Sequence, residues 1–423
     1  MILYNIFPLL AGRFSRWSEH FARASQMGFD WVYVNPIQQT GSSRSLYSIA
    51  DYFSFNSDLL DPASSTAQEE QVRGMMGEAH SSGLKVMIDL VINHCAADSP
   101  LTQEHPEWFV REPDGRIANS FCLHNGEKVI WKDLAQFDHE HTCDGEGLFR
   151  YCRRIVEHLL SLGFDGFRCD AAYQIPRSFW HRLIHDAKAR NRHICFAAET
   201  LGCTADQTKK TAGADFDFVF NSSKWWNFND WWLMEQYDLI RETASSISFA
   251  ESHDTPRLCE ELNGNVEGLK QRYLFSALFS AGVMMPVGYE FGFRKPLHVT
   301  DTTPADWETT GIDLCSYIEK VNSIKKRYAV FHEESPASIL PCNNPNILLM
   351  WKASARHKDE SLLILNKDAW SSQEFHTDNF RHFLQAGAPL VDVSPEYPMD
   401  YIHEPFRYVL RPGQGIVLVT ARD

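Results

Sequence analysis

Positive charge is scarce in this 423-residue chain: 40 Lys and Arg stand against 55 Asp and Glu, a formal net charge of −15. Nucleic acid and anionic membrane would both be repelled, so neither is an expected partner and a neutral one fits better. No run of eighteen apolar residues occurs, which argues against a membrane-spanning helix. The opening residues MILYNIFPLLAG are too short and uncharged for an ordinary secretory signal, and the expected compartment is cytoplasmic. The ten cysteines include no CxxC pair. Several, such as Cys169 and Cys195, stand inside apolar runs where a small reduced thiol packs well, so they read as free thiols. Low-complexity segments are absent too. Apolar residues are plentiful: 44% hydrophobic content suffices for a large core, and 12 Trp suit either that core or a sugar-stacking surface.

The length exceeds one ordinary domain and suits a large barrel with a small appendage. Apolar β-prone runs predict strands over 2–7, 31–34, 85–92, 165–170, 193–198, 216–220, 246–250 and 283–287. Helical spacing falls between them over 14–27, 66–82, 148–162, 176–189, 231–244, 264–281 and 312–328. Eight strands alternating with helices predict an α/β chain folded as a (β/α)8 TIM barrel. Residues 95–147 break the rhythm with Pro, Gly, His and polar residues, and read as an inserted subdomain after strand 3. From about 331 the pattern turns to short alternating strands with turn signals, predicting a C-terminal antiparallel β-sandwich over 331–423. The barrel then comprises 1–94 and 148–330.

Such barrels gather functional residues where strands end, because the following loops build one shared cleft. Asp170 ends the fourth strand, Glu199 the fifth and Asp254 the seventh. Arg168, two residues before Asp170 on the same strand, shares its face, so the guanidinium lies beside that carboxylate and favours its charged form. A buried structural ion pair is the plainer account of those two residues. Three carboxylates at one mouth repel, so one stays protonated near neutrality while another stays charged. Cleavage of a glycosidic bond needs that division: an acid for the leaving oxygen and a carboxylate opposite the anomeric carbon. A divalent-metal site from the same acids is the alternative.

Four blocks sharpen the choice: DLVINH at Asp89–His94, GFRCDAA at Gly166–Ala172, AAETLG at Ala197–Gly202 and ESHDTPR at Glu251–Arg257. In this order, each at a predicted strand end, they resemble those of the α-amylase superfamily, glycoside hydrolase family 13, over roughly 1–330. The resemblance implies that Asp170 is the nucleophile that forms a glycosyl ester and Glu199 the general acid/base. It implies that Asp254 grips the sugar hydroxyls and distorts the ring, and that Arg168 orients Asp170. His94 and His253 match the histidines that hydrogen-bond the sugar before the cleaved bond, and Tyr47 matches the tyrosine platform beneath it. Asn93 and Asp89 are read as bracing the loop. Some relatives use that Asn for calcium, but no full calcium set is legible, and neither metal nor cofactor is expected. Glu290 is read as structural.

The chain also departs from the family. Where many α-amylases carry Lys-His three and four residues past the nucleophile, it has Tyr173 and Gln174, and Arg44 stands where exo-acting α-glucosidases have an Asp. One or more of Trp225, Trp226, Trp231 and Trp232 is a candidate for stacking on sugar beyond the cleaved bond. Cys95, Cys122, His124, His139, His141 and Cys143 match no standard zinc spacing, and 95–147 reads as a solvated, His-rich loop. The leading reading is a retaining hydrolase of α-1,4 bonds in an α-glucan or malto-oligosaccharide. A glucan or maltosyl transferase using the same intermediate comes second, and an inactive binding barrel third.

Overall fold

A computed structural model describes residues 1–124, 127–354, 359–384 and 389–420. Eight parallel strands close a barrel: Ile2–Ile6, Trp31–Val34, Lys85–Leu90, Gly166–Cys169, Cys195–Ala198, Phe218–Phe220, Ser245–Phe249 and Gly282–Pro286. They follow one another round the barrel in chain order, and the eighth pairs with the first. Alternation along each strand divides its side chains between two environments. Ile2, Tyr4 and Ile6 turn out to the helix layer, whereas Leu3 joins Tyr33, Met87, Ala197, Ile247 and Met284 inside. Gly166 stands inside opposite Cys195, where a Cβ would lie 2.6 Å from the Cys195 carbonyl oxygen. Only glycine lets the fourth and fifth strands close to this spacing.

The helix before the fourth barrel strand illustrates why the segments between strands are helical. Asp144 caps Gly145–Leu162 by accepting the Gly147 amide at 3.0 Å, and Leu148, Cys152, Ile155, Leu159 and Leu162 bury one face. Gly163, at φ +111°, then ends it. The stretch expected as one helix over 14–27 is a 3₁₀ turn, Phe14–Arg16, followed by Ser18–Gln26. A helix missed in the sequence, Ala205–Ala212, follows the fifth strand; a Thr204/Gln207 capping box starts it, but its short ADQTKKTA run carries little apolar spacing.

The segment after the third strand is not a solvated loop. His94–Ala96, Asn119–His124 and Glu127–Gln136 form a three-stranded antiparallel sheet that lies over the barrel mouth. His139 Nε2 donates to the Ile92 carbonyl at 2.7 Å, and burial drops its pKa to about 4. Residues 127–132 of EKVIWKDLAQ are all exposed and its charged residues fall on both faces, so no alternation marks it as a strand.

Downstream, Ala337–Leu340, Ile347–Ala353, Glu360–Asn366, Gly415–Thr420 and Leu390–Asp392 make a five-stranded sheet, and Gln373–Thr377 with Phe406–Leu410 a second sheet. Leu349, Leu362, Ile364 and Leu418 of the first pack against Phe375, Phe406 and Leu410 of the second, which is the expected sandwich. The opposite face, with Leu348, Met350, Leu363, Leu365 and Val417, belongs to the same apolar core as the barrel helices. No helix among the described residues is long and apolar enough to cross a membrane.

Candidate active site

Inward-facing positions at the strand ends converge on Arg168. Asp89 sits opposite it in register on the third strand. Arg168 Nη1 donates to both Asp89 oxygens, at 2.7 and 2.9 Å, and to Asp170 Oδ1 at 2.8 Å, while Nη2 lies 3.2 Å from Glu199 Oε2. The shared face expected of Arg168 and Asp170 is therefore present, and one guanidinium serves three acids. Asp89 is fully buried and also accepts the hydroxyls of Tyr33 and Tyr47, each at 2.6 Å. It braces the arginine.

Asp170 and Glu199 come together because the chain turns sharply after the fourth strand. Ala171 takes up a left-handed conformation, φ +39°, and its amide donates to Glu199 Oε2 at 2.7 Å. That backbone state costs a non-glycine residue about 1–3 kcal/mol, here spent on aiming a donor at a carboxylate. Burial dominates the titration of both acids. It pushes Asp170 up to about 6 against the pull of Arg168, with Asp89 and Asp254 adding to the rise. Glu199 goes up to about 7 for the same reasons, with Asp170 and Asp254 as the repelling neighbours. Arg168 alone therefore does not set the charge of Asp170, as its position suggested; burial outweighs it. Both acids are thus held above the ordinary carboxylate range.

Asp254 is half-exposed at the mouth. Burial acts to raise its carboxyl, but His253, whose Nε2 lies 3.0 Å from Oδ2, and then Arg168 outweigh it and hold the group below the ordinary range. Tyr47 links this acid to Asp89. Its hydroxyl donates to Asp89, accepts from Asn35 Nδ2 at 2.9 Å and lies 2.7 Å from His253 Nε2. Its ring stacks on His253 with an interplanar angle of 3°. His94 Nε2 donates to the Tyr47 carbonyl at 3.1 Å, and burial lowers its pKa to about 4, so it is neutral. The Nδ1 atoms of His94 and His253 and Oδ1 of Asn93 are buried with no protein partner. Each such atom costs about 1–3 kcal/mol, and all three lie round this cleft.

One cavity of about 520 Å³ takes in Tyr47, His94, Asp170, Glu199 and Asp254 together. Arg168 and His253 form part of its floor, in a small recess shared with Glu199 and Asp254. Ser120, Cys122 and Trp131 of the inserted sheet, which were not foreseen, make the far wall together with Tyr173 and Gln174, the two positions where many α-amylases carry Lys-His. Gln174 Nε2 donates to the Phe121 carbonyl at 3.1 Å and ties that loop to the sheet. Of the four tryptophans after the sixth strand, only Trp225 lines the cavity; Trp226 is buried against Phe228 and Phe275. Among the described residues no group of three or more His, Cys, Asp or Glu side chains is arranged to hold a metal ion. Glu290 is buried against Tyr4 and Arg23, 3.0 Å away, remote from the cleft.

Residues 2–110 match the family model for the glucanotransferase domain of glycogen debranching enzyme. The chain is 24% identical to an alpha-1,4-glucan:maltose-1-phosphate maltosyltransferase of Arcanobacterium haemolyticum, a match covering 83% of the chain and 54% of the relative. It is likewise 24% identical to the enzyme of that name from Myxococcus xanthus, covering 86% and 60%. The chain thus spans little more than half the length of these relatives. Among solved structures, an alpha-amylase from Lactobacillus plantarum superposes with a TM-score of 0.77 at 19% identity, over 99% of this chain and 98% of that one. An alpha-amylase from Geobacillus thermoleovorans gives 0.79 at 13% identity, over 100% and 98%. The barrel and sandwich are shared with solved α-amylases from end to end, and the sequence is similar to that of the named maltosyltransferases over most of the chain, in keeping with the resemblance to the α-amylase superfamily.

Proposed function

We propose that the chain is a retaining transglycosylase acting on α-linked glucans or malto-oligosaccharides. In this reading an Asp170 oxygen attacks the anomeric carbon as the bond to the leaving oxygen breaks, and the Glu199 proton passes to that oxygen. Glu199, now charged, takes a proton from the hydroxyl of an incoming sugar, whose oxygen displaces Asp170 and restores the starting configuration. Asp254 with His94 and His253 holds the donor sugar's hydroxyls, Tyr47 supports its ring, and Arg168 fixes Asp170. Residues 1–94 and 148–330 carry the chemistry, 95–147 supply the acceptor wall, and 331–423 back the barrel.

Sequence reasoning ranks hydrolysis above transfer; the relatives reverse that order, and they are the observation that carries this reading. Matches over 83% and 86% of the chain bear transferase names, whereas the likeness to amylases below 25% identity speaks only of fold. The acceptor side agrees. Trp131, Tyr173 and Trp225 line the cavity, and a sugar acceptor held among these aromatic side chains would compete with water for the ester. Incubation with maltoheptaose, alone and with maltose 1-phosphate as donor, tests the proposal when products are resolved over time. Oligomers longer than the starting chain are expected, and Trp131→Ala should shift the products toward shorter ones. Shorter products alone from the unaltered protein would return hydrolysis to first place.

A further inference from the structure

A second cavity, of about 490 Å³, opens on the same face of the barrel beside the cleft, and the chemistry above does not use it. Arg13 and Arg16 follow the first strand, Arg44 follows the second, and all three line it, with Thr40, Asn56 and Asp58. In a chain of net charge −15, three guanidiniums against one carboxylate mark a local reversal of field. Arg44 and Asp58 pair at 2.8 Å, but both are exposed, and such a pair is worth little. Arg13 and Arg16 have no ion pair or side-chain hydrogen bond to any described residue. Both are exposed, so their charge is open to solvent and to a ligand.

The backbone around these arginines is specially arranged. Arg44 has φ +62°, a left-handed state that disfavours any side chain, and it is held there by its amide bond to the Gly41 carbonyl and by Leu46 N–H donating to the Val299 carbonyl, each at 3.0 Å. Gly12, at φ +74°, lets the loop after the first strand press against the loop after the eighth: a Cβ there would lie 2.9 Å from Pro304 Cγ. A thin wall separates this cavity from the cleft. Arg44 and Thr300 face the arginine side, while their neighbours Ser45 and Val299 line the cleft. The cyclic strand order sets the first, second and eighth loops across the barrel from those bearing Tyr173, Glu199 and Trp225. A ligand here lies away from the acceptor wall.

We propose that this cavity binds the phosphate monoester of a phosphorylated sugar, with Arg13, Arg16 and Arg44 taking the dianion and Thr40 and Asn56 the adjoining sugar. Guanidinium forks match phosphate oxygens in geometry as well as charge. The volume exceeds what a lone anion fills and suits a ligand of sugar size. The inference is independent of whether the cleft transfers or hydrolyses, because binding is read without turnover.

Calorimetric titration of the full chain with glucose 6-phosphate, inorganic phosphate and glucose tests it. Glucose 6-phosphate is expected to bind at least about tenfold more tightly than either of the others, and more weakly as salt is raised. The Arg13→Ala/Arg16→Ala variant should lose at least about tenfold in that affinity with an unchanged melting temperature; if it misfolds, Arg13→Gln/Arg16→Gln replaces it. Glu199→Gln protein, unable to turn over glucan, should bind glucose 6-phosphate like the unaltered chain. Inorganic phosphate binding as tightly as the sugar phosphate would overturn the assignment, as would no binding, or binding that the arginine substitutions leave intact.

Discussion

Arg168 is enclosed by the acids it serves, and its removal has a calculable direction. Asp89 is fully buried, and with the guanidinium gone only two tyrosine hydroxyls would face its charge. Breaking a buried pair by deleting one partner costs about 3–5 kcal/mol, so Arg168→Met is expected to lower the denaturant midpoint by that equivalent. A loss under about 1 kcal/mol would mean that Asp89 does not depend on Arg168. The two acids in the cleft give a second expectation. The proposed reaction needs Asp170 charged and Glu199 protonated, and burial sets them at about 6 and about 7. The rate should rise as Asp170 loses its proton and fall as Glu199 loses its own, a narrow bell whose limbs belong to the coupled pair. A kcat/KM profile flat from about pH 5 to about pH 8 would contradict the roles. Stability runs in a related direction. Both folded-state values lie above the unfolded ones, so the associated stability is full below the ordinary carboxylate range and drains away as pH rises through about 6 to 7. Glu199→Gln should therefore abolish turnover yet melt above the unaltered protein near pH 8, with no such gain near pH 4.

Gly166 illustrates how strands set the site. It stands opposite Cys195 on the fifth strand, four residues before Asp170 and beside the strand that ends at Glu199. In Gly166→Ala the new methyl would meet a backbone carbonyl, which cannot swing aside as a side chain can. Melting temperature and kcat are both expected to fall, kcat further than the loss of folded protein explains, because the spacing of the two acids changes. Equal melting and equal kcat would show the barrel to be more yielding than its geometry implies. All eight barrel strands were legible in the sequence, because each is a short apolar run followed by a polar end. So were the acids at their tips. Trp131 in the wall opposite them was not: it lies in a strand exposed on both faces over 127–132, with no alternation to read, and Ala205–Ala212 is too short and polar to register as a helix. The hydroxyl partners of Tyr47 were equally hidden, since Asn35, Asp89 and His253 meet it only through the closed barrel.

Taken whole, barrel and sandwich share one apolar core across their junction. Polar ties cross it as well: Tyr237 donates to the Ser335 carbonyl at 2.6 Å, and the buried Lys352 ammonium to the Phe279 carbonyl at 2.7 Å. Neither part can open without uncovering the other, so calorimetric unfolding is expected to show a single transition, with equal calorimetric and van't Hoff enthalpies. Two resolved peaks would mean that the sandwich melts on its own. Arg168 extends the same logic to the reaction. Because one side chain clasps acids from three neighbouring strands, the cleft proposed for glycosyl transfer is also the place where those strand ends are tied together. Heat inactivation should therefore track the loss of tertiary structure degree for degree, with no dormant intermediate that keeps its shape after its chemistry has gone.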